Sequence, residues 1–211
     1  MDTFKTEQFF DISQFPNKDI FDGVEDVWEV LSKLEEYIKS QFDGGLPQNY
    51  DKSKMVFIGE GTIIEEGAYI KGPAIIGKNC TIAHGAYIRD YVLTGDNVKI
   101  WHGTELKHSI MLNDSVGTHL GYIGDSIIGN RVNVASGAKT ANLRLDGNSI
   151  QVVSGNEKID TNLRKLGAII GDDSQVGANA VLNPGTILGK KVLVYPLTSV
   201  RGVHNHNDII K

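Results

Sequence analysis

The sequence predicts an all-β protein, built mainly as a parallel β-helix of hexapeptide repeats, with an N-terminal α-helical appendage and an inserted β-hairpin. Three observations predict it. An aliphatic or similar residue recurs every six positions at Ile58, Ile64, Ile70, Ile76, Ile82, Ile88, Thr94, Ile100, Leu106, Leu112 and Thr118, and again from Ile170 through Val176, Leu182, Leu188 and Val194 to Val200. Two places before each stands a mostly small residue, as at Ala68, Ala74, Cys80, Ala86, Ala168 and Ala180. Glycine supplies 24 of the 211 residues, above the average of about 7%, which fits a chain that turns often. A six-residue period of this kind is the signature of a solenoid whose coils bury their apolar edges only by stacking.

Taken in order, residues 1–21 mix aromatic and acidic residues without a period and predict no element. Residues 22–42 predict an amphipathic helix, because Val24, Val27, Trp28, Leu31, Leu34 and Ile38 share one stripe at steps of three and four. Asp22 is placed to cap it, and Gly44, Gly45 and Pro47 to stop it. Its acidic polar face argues against a membrane surface and for packing on its own domain or a sister subunit. The division predicted is an appendage over 1–54, the β-helix over 55–203 with an insertion at 143–165, and a tail over 204–211. Within the insertion, SIQVVSGNEKIDT reads as a hairpin turning at Gly155-Asn156. Cys80 occupies a small inward slot and reads as core rather than nucleophile.

Three hexapeptides per coil would put residues 18 apart above one another at about 4.8 Å. Lys71, Arg89 and Lys107 then form a vertical ladder of cations, each following an inward residue. Stacked like charges are unfavourable, so the ladder fits either a bound anion such as phosphate or side chains splayed into solvent. The beat slips once: Thr118 holds the last regular slot and Ile128, ten residues on, the next clear one. His119, Tyr122, Asn133 and Asn142 collect around this slip, which marks it as the place for chemistry. Histidine suits general-base work, since its ordinary pKa lies near neutrality.

The net charge of −5 and the lack of a basic tract argue against nucleic acid as a partner. No apolar run reaches the 18 or so residues of a membrane span. A single cysteine excludes an internal disulfide and a Cys-based zinc site, and with no signal peptide in MDTFKTEQFF a cytoplasmic protein is expected.

The runs GTHLGYIGDSIIGNRVNV, GAKTANLRLDG and KLGAIIGDDSQVGANAVLNPGTILG resemble the acetyltransferase half of bifunctional N-acetylglucosamine-1-phosphate uridyltransferase/glucosamine-1-phosphate acetyltransferases and of related sugar-1-phosphate nucleotidyltransferases. The resemblance spans about residues 56–203, and no counterpart of the family's nucleotide-binding half is expected here. It implies a left-handed solenoid, contrary to the usual right-handed crossover, assembled as a homotrimer with sites between subunits. It implies acetyl-CoA as co-substrate, no metal, and an amino-sugar 1-phosphate, foremost glucosamine 1-phosphate, as acceptor. Position by position, His119 matches the family's catalytic base and Glu105 an acidic residue beside it. Arg89 and Lys107 match its sugar-phosphate ligands, Tyr122, Asn133 and Asn142 its sugar contacts, and Lys165 a lysine from the neighbouring chain. Ser136, Gly137, Ala178 and Pro196 fall on its acetyl-CoA face, with a backbone N–H near Ser136-Gly137 as oxyanion donor. There are departures on that face: the family's G-A-G-T is here Ala135-Ser136-Gly137-Ala138, and Pro196 replaces a small residue. Arg201 or Lys211 would stand in for a C-terminal arginine offered to CoA phosphates.

Two other classes fit parts of the sequence. A non-catalytic scaffold or regulatory subunit of a nucleotidyltransferase complex would explain a β-helix with a helical appendage. A zinc hydratase of the γ-carbonic anhydrase kind could draw on His84, His102, His108 and His119.

Overall fold

A computed structural model describes residues 4–44 and 53–211. Its short strands fall into three parallel sheets of eight, eight and seven strands, wound as a left-handed β-helix, with one separate antiparallel pair. Ile58 stacks on Ile76, Ile64 on Ile82 and Ile70 on Ile88, each 18 residues on. The coil interior is a continuous apolar column that includes Ile76, Ile82, Ile88, Ile100 and Leu106, all without exposed surface. Cys80 belongs to it, and burial pushes its thiol pKa up. Corners need left-handed backbone, which short polar side chains tolerate; Asn79, Asn97 and Asp114 supply it in one column at φ 53, 59 and 61.

The six-residue beat breaks earlier than the spacing implied. Met111, not Leu112, stacks on Thr94; Gly117, not Thr118, stacks on Ile100; and Ile123 stacks on Leu106. Leu112 packs in a different cluster and Thr118 is only half-buried. One residue is therefore missing between Leu106 and Met111, and another between Ile123 and Ile128, whose partner is Met111. Both losses fall at the same corner, between the third and first sheets, where His108 and Asp125 turn the chain at φ 44 and 48.

The first sheet differs from the other two because its strands are apolar on both faces, as in Ala74-Ile75-Ile76 and Ala168-Ile169-Ile170, all fully buried or nearly so. Such a sheet must be covered on both sides. Ile75, Leu93, Ile110, Ile127, Ile169 and Ile187 meet Phe9, Phe10, Phe15, Trp28, Leu31 and Leu34 of the N-terminal segment, with Ile150 and Val152 of the insertion. The predicted apolar stripe is thus buried on the chain's own solenoid.

The predicted helix is shorter than expected at its start. A 3-10 turn spans Val27–Glu29 and the α-helix Val30–Gly44. Asp22 caps nothing there; its amide closes the turn Lys18–Phe21 by donating to Asp19, and Gly23 at φ 69 redirects the chain. Of the expected stop residues, Gly44 ends the helix, while Gly45 and Pro47 lie outside the described residues. The unassigned N-terminus holds a short helix, Thr6–Phe9. The insertion contains the expected hairpin, Gln151–Ser154 paired with Glu157–Asp160, turning at Gly155 with φ 58. No helix of the described residues is long and apolar enough to cross a membrane.

Candidate functional site

On the third sheet the inward residues Ile88, Leu106 and Ile123 are each flanked by two outward ones, because side chains alternate along a strand. Tyr87, Glu105 and Tyr122 form one outward column, and Arg89, Lys107 and Gly124 continue the other. Gly124 ends the cation ladder for a steric reason. A Cβ there would stand 2.4 Å from the Tyr122 hydroxyl oxygen, so the tyrosine ring lies across the space that a side chain would fill.

Each rung of the ladder already has a counter-charge. Lys71 pairs with Asp90 at 3.2 Å, Arg89 with Glu105 at 2.8 Å and Lys107 with Asp125 at 3.1 Å. The repulsion inferred from the spacing is therefore answered within the fold, and a bound anion is not needed to explain the ladder. Glu105 holds the Arg89 guanidinium above its ordinary pKa.

Asp125 is the hub of this face and was not singled out by the spacing. It is 4% exposed, and its carboxylate accepts from Lys107 Nζ and from Asn142 Nδ2. His108 Nδ1 lies 3.1 Å away, within ion-pair distance but not aligned as a hydrogen bond. Burial alone would raise the Asp125 pKa, but His108, Lys107 and Asn142 outweigh it and the carboxyl ends below its ordinary value. Asn142 Nδ2 also donates to the Tyr122 hydroxyl at 3.1 Å. Burial, then the Asp125 charge, raises the pKa of that phenol. Behind His108 the Tyr91 ring stands edge-on at 6.2 Å, and the Tyr91 hydroxyl donates to Glu35 of the N-terminal helix at 2.8 Å.

His119 is exposed at the other edge of the same sheet, in the turn before Tyr122. Its ring centroid is 6.3 Å from that of Trp101, and Glu105, expected beside it, accepts from Arg89 through Oε1. The residues expected on the acetyl-CoA face share this corner as one column. Gly137 N–H donates to the His119 carbonyl, Asn179 N–H to Ser136 and Leu197 N–H to Ala178, at 2.8, 2.9 and 2.9 Å, and Pro196 precedes Leu197. The Gly137 amide is thus already used. Asn133 lies apart, on the second sheet between Val116 and Gln175. Lys165 is exposed and precedes Leu166, whose N–H donates to the Asn142 carbonyl at 3.1 Å. A groove of about 850 Å³, lined by Leu143, Leu145, Val153, Asn183 and Arg201, opens beside Asn142.

Below His119 the rings of His84 and His102 stack at 5.7 Å and 6°. Their Nδ1 atoms lie 2.6 and 2.8 Å from the carbonyls of Glu66 and His84, so each Nδ1 carries the proton. Among the described residues, no group of three or more His, Cys, Asp or Glu is placed to hold a metal ion within one chain.

Fold and side chains together define a hexapeptide-repeat β-helix with a polar, half-buried constellation on one outer face. Its likenesses are more particular. The family model of the GMPPB C-terminal domain matches residues 70–159. A bifunctional sugar-1-phosphate nucleotidylyltransferase/acetyltransferase of Sulfurisphaera tokodaii is 40% identical over 78 residues, 37% of this chain and 20% of that protein. The bifunctional protein GlmU of Methanococcus aeolicus is 44% identical over 71 residues, 34% of this chain and 17% of that protein. The chain thus spans about a fifth of the length of these relatives. Among solved structures, a mutant of AntD, an N-acyltransferase from Bacillus cereus in complex with dTDP and coenzyme A, aligns with TM-score 0.45 at 20% identity, covering 76% of this chain and 84% of its own. The acetyltransferase domain of PglB from Neisseria gonorrhoeae FA1090 in complex with acetyl coenzyme A aligns with TM-score 0.40 at 15% identity, covering 71% and 53%.

Proposed function

We propose that this protein is an acyltransferase that moves the acetyl group of acetyl-CoA to the amine of an amino-sugar 1-phosphate, with glucosamine 1-phosphate as the acceptor. The relatives named for sugar-1-phosphate nucleotidylyl and acetyl transfer support the class. The observation that carries the reading is the gathering of Arg89, Glu105, Lys107, Tyr122 and Asn142 on one face with His119 at its edge.

In this reading Arg89 and Lys107 take the phosphate, and Tyr122, Asn142, Asn133 and Lys165 bound the sugar. His119 removes the proton from the amine as its nitrogen attacks the thioester carbonyl. The tetrahedral oxyanion needs a donor; the Gly137 amide is spent on the His119 carbonyl, and in this reading the neighbouring Ser136 N–H supplies it. Collapse breaks the C–S bond, and the departing thiolate takes up the proton held by His119. Ser136, Gly137, Ala178 and Pro196 form the wall along which the CoA arm lies. Asn133, on a different sheet from Tyr122, completes such a site only where the corner between the two sheets is shared with another copy, which fits a homotrimer working in the cytoplasm. Residues 1–54 serve as an appendage to the catalytic β-helix of 55–203, and 204–211 as its tail.

The test is thiol release from acetyl-CoA with a panel of amino-sugar phosphates. Glucosamine 1-phosphate should give the highest kcat/KM, and His119→Ala should lower kcat about 10²–10⁴-fold without lowering Tm. Wild-type-like turnover in the folded variant removes His119 from the chemistry. Absence of thiol release with every sugar phosphate would favour the scaffold reading.

A further inference from the structure

The hydrogen bonds around Asp125 have only one consistent direction. A buried, ionised carboxylate only accepts, and Lys107 Nζ, which only donates, reaches both of its oxygens at 3.2 and 3.1 Å. Asn142 must therefore turn its amide nitrogen inward. One Nδ2 hydrogen goes to Asp125 Oδ2 and the other to the Tyr122 oxygen, which leaves Asn142 Oδ1 on the side away from Asp125. The Tyr122 oxygen, having accepted from Asn142, keeps its own proton to give elsewhere.

We propose that Asp125 is a positioning residue that fixes the hydrogen-bond polarity of this face, so that Asn142 offers an acceptor and Tyr122 a donor to one ligand group that is both, a sugar hydroxyl. This rests on the sugar-phosphate reading above and deepens it. The site then discriminates by an unsatisfied pair: a ligand with hydrogen or fluorine at that carbon leaves Asn142 Oδ1 without a donor, at a cost that an apolar pocket could not impose. With one residue fewer between Ile123 and Ile128, Asp125 turns at φ 48 and lies above Lys107, its N–H donating to the Lys107 carbonyl at 3.0 Å.

Asp125→Asn separates polarity from shape, and asparagine tolerates the left-handed backbone there. Lys107 reaches both oxygen positions, but the His108 Nδ1 that faces Oδ1 at 3.1 Å carries its proton toward the carboxylate, so the single oxygen of the new amide takes that side and its NH2 faces Asn142, which must flip and present its own NH2 outward. Asp125→Glu keeps the acceptor-only character. Two readouts are needed, neither requiring turnover. In 15N-edited NMR the Asn142 side-chain NH2 should exchange slowly in the wild type, quickly in Asp125→Asn, and slowly again in Asp125→Glu. In calorimetry without acyl donor, one of the 3-, 4- or 6-deoxy or deoxyfluoro analogues of glucosamine 1-phosphate should bind the wild type about tenfold more weakly than the parent. That penalty should shrink to within about twofold in Asp125→Asn and return in Asp125→Glu.

An Asn142 NH2 signal unchanged in Asp125→Asn overturns the proposal. So does a wild type that binds the parent and every analogue equally, or none of them. So does an unchanged penalty in a variant whose Asn142 has flipped. Failure of the activity reading shows separately, as a lack of thiol release, while the NMR exchange and the analogue affinities still decide the role of Asp125.

Discussion

Gly124→Ala isolates the Tyr122 ring with little other disturbance. The backbone at Gly124 is not left-handed, so alanine incurs no conformational strain there. The added Cβ would meet Tyr122 Oη at 2.4 Å, Cζ at 2.6 Å and Cε1 at 2.7 Å, and all three atoms belong to a side chain that can swing outward. Relief therefore costs the hydrogen bond to Asn142 and the ring's packing, on the order of 1–1.5 kcal/mol, while leaving the coil intact. If Tyr122 contacts the acceptor, the same energy appears in binding, and the KM for the sugar phosphate rises about tenfold. Gly129→Ala is the control, because its Cβ would meet the Asp172 amide nitrogen at 2.7 Å and the Ile170 carbonyl at 2.9 Å. Backbone cannot swing aside, so that variant should lose several kcal/mol of stability, roughly 2–4. Thermal melts and thiol-release kinetics on both variants read the two effects apart. Gly124→Ala with wild-type KM, or with a Tm loss as large as that of Gly129→Ala, would refute this account of the ring.

Trp28→Ala should cost about 3–5 kcal/mol in a denaturant titration, because Trp28 is 2% exposed and belongs to the cluster that covers the first sheet. Cys80, 1% exposed with a raised pKa, should react with a thiol reagent only after unfolding; rapid labelling of the native protein would contradict its place in the core. The stability contributed by Asp125 follows its lowered pKa. It is fully present above the ordinary aspartate value of about 4 and is lost as pH falls through the lower folded value. A plot of Tm against pH should therefore fall less steeply below about pH 4 in Asp125→Asn than in the wild type.

Much of the architecture was legible because a solenoid writes its geometry as a period. The slots at Ile58 to Leu106 and Ile170 to Val200 name inward residues, and stacking at fixed spacing does the rest. The insertion was legible from turn chemistry at Gly155, and the appendage from the stripe Val27 to Ile38. The frame after Leu106 was not. Leu112 and Thr118 satisfy the six-residue count as well as Met111 and Gly117 do on the shifted frame, and a count cannot say at which corner a residue was dropped. Only pairing across coils shows that the loss falls at His108 and again at Asp125.

The site divides in the same way. The sequence by itself determined that Arg89, Glu105 and Lys107 would share a face, since they hold alternating outward positions on strands one coil apart; Tyr122 joins Glu105 only through the 17-residue step that the pairing reveals. It did not determine their charge state as a group, because Asp90, Glu105 and Asp125 neutralise the ladder through side chains whose direction depends on corner conformation. Nor did it show that three-residue apolar strands such as Ala74–Ile76 have a second buried face, which the N-terminal aromatics cover. A period specifies which residues point inward. What the outward residues meet depends on chain brought back from elsewhere, and only the tertiary structure decided that.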